Sequence, residues 1–205
     1  MTLQLKRGDS LVIATHNKGK LWEFEQLLRP LGIVAIAAGD LDVPEPEETG
    51  VTFEENAQLK AVISAFAASQ PALGDDSGLA VDALGGKPGI YSARWAGEQR
   101  NFAAAMQRVH DELEAKGARA PQERRASFIC VLCLANPFGA VQFFEGRVPG
   151  QVVWPPRGTN GFGYDPMFVP DGYEQTFGEM EPAKKYELTH RARAFAAFRS
   201  AVIEE

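Results

Sequence analysis

Residues 15–20, Thr-His-Asn-Lys-Gly-Lys, have the composition of a loop that binds a small anion. They follow an apolar, strand-like run at 10–15 and precede a helical pattern of leucines and a phenylalanine. A loop that leaves a strand and opens a helix directs free N–H groups and the positive end of the helix dipole at one point. The segment lacks the spacing of a Walker A loop. Taken alone, it is more typical of an ordinary strand–helix turn with solvated lysines.

Carboxylates are concentrated in two neighbouring stretches. Residues 39–55 contain seven acids and no base, and Asp75 and Asp76 follow before Ser77 and Gly78. Adjacent carboxylates repel each other unless a cation offsets their charge, and Mg²⁺ prefers carboxylate oxygens. The pattern therefore predicts a magnesium site, in a chain that is otherwise close to neutral. The alternative is that one aspartate caps a turn while the other faces water.

Two later segments have features of a nucleotide site. Residues 157–166 interleave three glycines with Phe162 and Tyr164, and an aromatic ring in such a loop can stack on a nucleobase. The alternative is a plain turn packed on the core. Residues 184–193 hold five bases and one acid, at what the pattern predicts to be a helix entrance. Cations are unfavourable there, which predicts a bound anion or an electron-rich base edge as their partner.

Composition excludes several classes of protein. The 205 residues carry a net charge of −6 without a long basic tract, which argues against a nucleic-acid partner. No apolar run approaches the roughly 18 residues of a membrane span, and the N-terminus lacks a signal-peptide pattern, so we expect no membrane partner and a cytoplasmic location. Cys130 and Cys133 lie on a strand-like run, where positions three apart face opposite sides, and we interpret both as structural.

The elements that position these segments alternate between strand and helix. Hydrophobic periodicity predicts strands at 10–15, 33–38, 127–135, 141–153 and 167–169, a strand–turn–strand at 72–84, and helices at 21–31, 52–68, 101–116 and 188–202. A Thr52–Glu55 capping box opens the second helix, for which Phe53, Ala57, Val62 and Phe66 are predicted to face inward. We expect one α/β domain, 1–205, with a mixed central sheet flanked by helices.

Five stretches, in order, resemble the signature blocks of the inosine triphosphate pyrophosphatase family, also called Ham1-like proteins or XTP/dITP diphosphatases. They are ATHNKGK, EETGVTFEENAQLKA, GDDSGLAVDALGGKPGIYSARWAG, GTNGFGYDPMF and KKYELTHRARA. Three departures bear on selectivity and rate rather than on the reaction. His16 stands where bacterial relatives often have Gly, Asn160 replaces a Gly, and Thr189 stands where Ser commonly precedes His-Arg.

The resemblance implies hydrolysis of ITP, dITP and XTP to the monophosphate and pyrophosphate, with Mg²⁺ as cofactor. It also implies a homodimer and an elongated, two-lobed α/β fold with a cleft between the lobes. Asp76 would be the general base and a metal ligand, and Glu47 the second metal ligand, with Glu48 as the alternative. The resemblance assigns phosphate binding to Thr15, His16, Asn17, Lys18, Gly19 and Lys20. It assigns other substrate contacts to Ser77, Phe162, Gly163, Tyr164, Asp165, Lys185, His190 and Arg191.

Physical reasoning agrees with several of these roles. Lys60 lies four residues after Asn56, on one helix face, and is predicted to reach the same phosphates. His190 and Arg191 could donate to a purine O6, whereas adenine presents a donor there and would leave them unpaired. Two alternatives stay open: a nucleotide-binding regulatory module without turnover, and a hydrolase of the same chemistry that prefers dUTP, modified pyrimidines or ordinary triphosphates.

Overall fold

The computed structural model describes residues 3–203, which fold into alternating strands and helices. The strands are β1 (Ser10–Ala14), β2 (Val34–Ala37), β3 (Ala72–Val81), β4 (Arg125–Ala135), β5 (Val141–Val152) and β6 (Phe168–Pro170). The helices are α1 (Lys18–Leu28), α2 (Phe53–Ala68), α3 (Ser92–Trp95), α4 (Phe102–Ala115), α5 (Pro182–Leu188) and α6 (His190–Val202).

The six strands form one mixed sheet in the order β2-β1-β3-β4-β5-β6. β1 pairs in parallel with both β2 and β3, while β5 and β6 are antiparallel. Every residue of β1 after Ser10 is buried, as expected for a parallel strand covered on both faces. The α/β fold with a mixed, helix-flanked sheet is confirmed.

The chain divides into two compact units. The first unit comprises Met1–Asp76, Val131–Glu145 and Ala194–Glu205, and the second comprises Ser77–Cys130 and Gly146–Arg193. In the first unit, Phe144 packs edge-on against Phe198 with ring centroids 5.5 Å apart. The core of the second unit is also aromatic, with Phe128 4.7 Å from Phe168.

Helix α2 begins as predicted but buries a different face. Thr52 caps it by accepting a hydrogen bond from the Glu55 N–H at 3.1 Å. Phe66, predicted to face inward, is 78% exposed, and that prediction is wrong. The reason is close packing on β3, where a Cβ at Gly74 would lie 2.2 Å from the Ala57 carbonyl oxygen. Only small or specifically paired side chains fit on that face, which consists of Asn56, Ala57, Lys60, Ala61, Ser64 and Ala65.

Strand β3 runs continuously through the segment predicted to be strand, turn and strand. Asp75, Asp76, Ser77 and Gly78, which suggested a turn, are extended, and both aspartates are buried. A Cβ at Gly78 would lie 2.3 Å from the Gly89 carbonyl oxygen. The glycine is therefore required for close packing rather than for a turn.

The C-terminal basic segment contains a helix that the sequence pattern missed. Thr189 is extended and separates α5 from α6, and its hydroxyl accepts the Ala192 N–H at 3.1 Å. Lys185 consequently lies in the last turn of α5, where the helix dipole favours a cation. The predicted charge conflict at one long helix start does not arise for this lysine.

The predictions for α4 and for the two cysteines hold. α4 buries Met106, Val109 and Leu113 as expected. Cys130 and Cys133 lie buried on β4 as thiols and are not joined in a disulfide, and burial raises the pKa of Cys133 to about 12. Among residues 3–203, the helices lack the combination of length and apolarity that a membrane span requires.

Candidate active site

The loop at residues 15–20 positions its lysines through internal hydrogen bonds. Asn17 caps α1, its Oδ1 accepting from the N–H groups of Gly19 at 2.9 Å and Lys20 at 3.3 Å. The Thr15 hydroxyl accepts from the Asn17 N–H at 3.1 Å. The backbone N–H groups of Asn17, Gly19 and Lys20, expected to be free for phosphate, thus donate to side chains of the loop itself. What the loop presents to an anion is mainly positive charge, from the exposed Lys18 and the partly buried Lys20.

His16 and Gly19 are also on the surface of this loop. The His16 Nδ1 is 4.0 Å from a carboxylate oxygen of Glu45. Gly19 is exposed, and a Cβ there would lie 3.2 Å from the Asn17 Oδ1. A side chain at position 19 would therefore crowd the capping interaction.

Asp75 and Asp76 form ion pairs with two different lysines. Consecutive strand residues point to opposite faces, so the two carboxylates meet different helices. Lys20 of α1 donates a hydrogen bond to Asp75 Oδ1, and the Lys60 Nζ of α2 lies 2.9 Å from Asp76 Oδ1. The mutual repulsion expected of adjacent aspartates is thus offset by protein cations, and both carboxylates are kept in the interior.

Lys60 joins Asp76 to a second carboxylate. Its Nζ is 2.8 Å from Glu48 Oε1, and the lysine itself is buried. Burial alone would lower the pKa of Lys60, but Asp76 and Glu48 together outweigh it and raise the pKa above its ordinary value. Burial raises the pKa of Asp76, with Lys60 and Lys20 opposing the shift and Glu48 adding to it. A raised pKa for Lys60 and a raised pKa for Asp76 are compatible, because Lys60 faces several carboxylates while Asp76 is strongly desolvated.

Asn56 completes the surroundings of Asp76. Its side chain is fully buried, and its Nδ2 donates to Asp76 Oδ2 at 3.3 Å. Its Oδ1 accepts the Gly50 N–H at 2.9 Å. The sequence reasoning noted only that Asn56 and Lys60 share a helix face. We call Lys20, Glu48, Asn56, Lys60, Asp75 and Asp76 the carboxylate–lysine cluster.

The two predicted metal ligands differ in their surroundings. Asp76 is buried, whereas Glu47 is exposed, and it is the alternative, Glu48, that converges with Asp76 on one ammonium group. Within residues 3–203, no three His, Cys, Asp or Glu side chains are placed so that they could hold a metal ion by themselves. Two carboxylates facing one cation nevertheless fit Mg²⁺, which commonly uses one or two carboxylates plus waters and substrate phosphates.

In the second unit, a buried ion pair organises the aromatic loop, residues 157–166. Lys185 Nζ lies 2.6 Å from Asp165 Oδ2, which also accepts the Phe162 N–H at 2.8 Å. Gly161 must be glycine, because a Cβ there would lie 2.1 Å from Asp165 Oδ2. The ring of Phe162 remains 45% exposed, as a stacking surface requires.

Two further predicted residues are joined in the same unit. Arg191 Nη2 donates to the Ser77 hydroxyl at 3.0 Å, and the arginine is buried. The His190 ring stacks on Phe128 with centroids 4.9 Å apart and planes 10° apart. Stacking fixes the plane of the imidazole and thereby the directions in which it can donate.

Ser92 and Tyr164 form a support that the sequence reasoning missed. The buried Ser92 hydroxyl accepts the Leu79 N–H at 3.0 Å and donates to the Gly89 carbonyl at 2.7 Å. The Tyr164 hydroxyl donates to the Ser92 carbonyl at 2.9 Å. Tyr164 is buried, so its role is to hold the aromatic loop, next to the positive-φ Gly163. Long-range contacts of this type leave no local pattern in the sequence.

Comparison with known proteins identifies the class to which this chain belongs. The Ham1 family model matches residues 11–201, and the chain is a member of that family. A dITP/XTP pyrophosphatase of Agrobacterium fabrum is 53% identical, covering 95% of this chain and 96% of that relative. One of Rhizobium meliloti is 56% identical, covering 92% and 94%. The structure of a HAM1 protein from Coxiella burnetii superposes with a TM-score of 0.86 at 40% identity, covering 94% of this chain and 97% of that one.

Proposed function

We propose that the protein hydrolyses non-standard purine nucleoside triphosphates (ITP, dITP and XTP) to the monophosphate and pyrophosphate, and so removes them from the nucleotide pool. One observation carries the proposal. A buried carboxylate, Asp76, is held by Lys60 and Asn56 in a chain whose relatives are named dITP/XTP pyrophosphatases. A regulatory module that only binds nucleotide has no need of a desolvated base of this kind.

Asp76 is the general base in this proposal. Attack by water on the α-phosphorus needs a group that orients the water and accepts its proton. Burial raises the pKa of Asp76 and so makes its carboxylate a better proton acceptor than an ordinary aspartate. Lys60 and Asn56 bind separate oxygens of that carboxylate, which fixes its orientation.

In this proposal, lysines and Mg²⁺ neutralise the negative charge of the triphosphate. Lys18, Lys20 and Lys60 reduce the repulsion between a polyanionic substrate and the approaching nucleophile. Asp76, together with Glu47 or Glu48, would hold Mg²⁺, and the position of Glu48 beside Lys60 favours Glu48. Bound Mg²⁺ would withdraw charge from the phosphoryl oxygens.

The second unit would bind the purine base of the nucleotide. Phe162 offers an exposed ring for stacking, with Asp165 and Lys185 fixing its loop. His190 and Arg191 would donate to the purine O6, while Ser77 holds Arg191 through its hydroxyl. The alternative role for Arg191 is phosphate binding, since arginine suits both tasks.

The remaining proposals concern the whole protein. We propose that residues 1–205 act as one enzymatic domain, that the protein is a homodimer and that it works in the cytoplasm, where the nucleotide pool lies. The family resemblance supports the first two. The net charge of −6 argues against a nucleic-acid partner.

Steady-state rates over a nucleotide panel test the function. The panel comprises ITP, dITP, XTP, dUTP, GTP and ATP with Mg²⁺, with pyrophosphate and orthophosphate assayed separately. We expect pyrophosphate release, with kcat/KM for ITP and XTP far above that for ATP. Binding without turnover would support the regulatory module, and a preference for dUTP or ATP would support the hydrolase with different selectivity.

A further inference from the structure

We infer that Asn56 is a positioning residue that sets the orientation of the Asp76 carboxylate. Asn56 lies on α2, one helical turn before Lys60, and it is fully buried. The inference rests on the proposed function, in which Asp76 is the base. It assigns a role to a side chain that does not itself touch the reacting atoms.

The direction of the hydrogen bond is fixed by a second contact. An asparagine amide can be turned over unless its partners decide between oxygen and nitrogen. The Gly50 N–H can only donate, so the atom that it meets at 2.9 Å must be Oδ1. The Nδ2 group is therefore the one that faces Asp76 Oδ2, at 3.3 Å.

Gly50 supports this arrangement by its close approach. A Cβ at position 50 would lie 2.6 Å from Asn56 Oδ1 and 2.9 Å from the Asn56 backbone nitrogen. Only glycine brings its N–H into that position without displacing the amide. The acidic segment that carries Glu48 is thus attached, through Gly50 and Asn56, to the carboxylate of Asp76.

The two donors to Asp76 act on different oxygens. Lys60 Nζ binds Oδ1 at 2.9 Å and Asn56 Nδ2 binds Oδ2. A carboxylate held at one oxygen can still rotate about its Cβ–Cγ bond, since that torsion is broad and two-fold. A donor on each oxygen defines the carboxylate plane, and with it the direction from which a water can be deprotonated.

The test begins with Asn56→Asp, which keeps an oxygen for the Gly50 N–H but replaces the donor to Asp76 by a negative charge. We expect kcat for ITP to fall about tenfold to a hundredfold, the loss typical of one hydrogen bond to a charged group, while KM changes less than about threefold. Asn56→Ser replaces the Nδ2 donor by a shorter hydroxyl without adding charge and should lower kcat about tenfold. An unchanged kcat in both variants would overturn the inference.

Gln107→Glu provides the matched control. Gln107 on α4 donates to Asp111 at 2.8 Å, so the variant makes the same amide-to-carboxylate change beside an aspartate, on an exposed face. We expect its kcat and melting temperature to stay close to the native values. If it loses activity as Asn56→Asp does, the loss reflects added charge in general, and the assigned role of Asn56 is wrong.

A double-mutant cycle at positions 56 and 76, here called the thermal cycle, uses the melting temperature of nucleotide-free, metal-free protein as its readout. It measures the Asn56–Asp76 contact independently of activity. We expect Asn56→Asp to lower the melting temperature, because two carboxylates then face each other. Adding Asp76→Asn should raise it again, since an amide at position 76 can donate to the carboxylate at position 56, whereas Asp76→Asn in the native background should not raise it. Equal effects of Asp76→Asn in both backgrounds would show that the two side chains do not interact.

The same variants separate this inference from the proposed function. If Asp76→Asn abolishes turnover while Asn56→Asp retains native kcat, the function stands and the role of Asn56 is wrong. If Asp76→Asn retains native kcat, Asp76 is not the base, and the thermal cycle still reports whether Asn56 holds it.

Discussion

The two units bury ionisable groups in contrasting ways. In the first unit, the carboxylate–lysine cluster places Asp75 and Asp76 beside Lys20 and Lys60, on a strand and two helices. In the second unit, the Asp165–Lys185 pair has aromatic neighbours, with Lys185 Nζ 5.4 Å from the Phe162 ring centroid and 5.8 Å from that of Phe177. Dense charge suits a polyanion and its metal, whereas an aromatic setting suits a flat base.

The contrast implies a division of labour. Changes in the carboxylate–lysine cluster should alter the rate for every triphosphate by a similar factor. Changes at Phe162, His190 or Arg191 in the second unit should alter the preference among bases. If Asp76→Asn altered the preference among bases, the division would be wrong. It would also be wrong if Arg191→Ala lowered kcat/KM equally for ITP and ATP.

The largest effect is expected for Asp76→Asn. The amide keeps the shape of the side chain but removes the base and a metal-binding charge. We expect loss of at least about three decades in kcat with ITP and XTP alike, at the upper part of the range for general-base removal. A nucleotide-induced rise in melting temperature should persist, as the check on folding and binding. Activity within a few-fold of native would contradict the role of Asp76.

An intermediate effect is expected for Arg191→Ala. Losing one charge-assisted hydrogen bond costs about 1.5–3 kcal/mol, or roughly one to two decades in kcat/KM for ITP. ATP presents a donor at the same position and should lose much less, so the ITP/ATP preference should fall toward unity. Arg199→Ala, on an exposed position of α6, is the control. Equal losses with both nucleotides would show that Arg191 binds phosphate instead.

The smallest effect is expected for Asp171→Asn, which lies outside the carboxylate–lysine cluster and the aromatic loop. Arg125 and Asp171 form a bidentate pair at 2.6 and 2.7 Å in the second unit, and the Arg125 hydrogen bonds lower the pKa of Asp171. Because the folded pKa is depressed, the stabilisation is present above the unfolded pKa of about 3.9 and is lost as pH falls through the folded value. Both side chains are substantially exposed, so we expect Asp171→Asn to cost less than about 1 kcal/mol at pH 7.

Urea unfolding of the native protein and of Asp171→Asn at pH 7 and at acid pH checks this value. The difference between the two proteins should shrink as pH falls, with kcat for ITP unchanged at pH 7. A large loss of activity would show that this pair supports the site, against the division of labour.

The sequence predicted the fold class and the family, because both depend on local patterns. Periodicity located four of the six helices and five of the six strands, and the five stretches from ATHNKGK onward are each contiguous in the chain. The prediction that Phe66 faces inward failed because of close packing between a strand and a helix. Phe66 is exposed because the close approach of Gly74 to α2 leaves no room for a large side chain on the buried face.

For the site, residue types were easier to predict than partners. The adjacent Asp75 and Asp76 predict a cation that offsets their repulsion, and the sequence does not show that each is also paired with a lysine from a different helix. Asp165 and Lys185 were both predicted to contact substrate, and they bind each other. Such pairs join residues 16, 20 or 55 positions apart, and no local pattern specifies them.

The most direct test of the central claim is the position of bond cleavage. Phosphorus NMR of ITP hydrolysis in ¹⁸O-labelled water identifies the phosphorus that the nucleophile attacks. Attack by a water that Asp76 activates at the α-phosphorus predicts the label in inosine monophosphate and none in pyrophosphate. Label in pyrophosphate, or release of orthophosphate with a diphosphate, would contradict the proposed reaction.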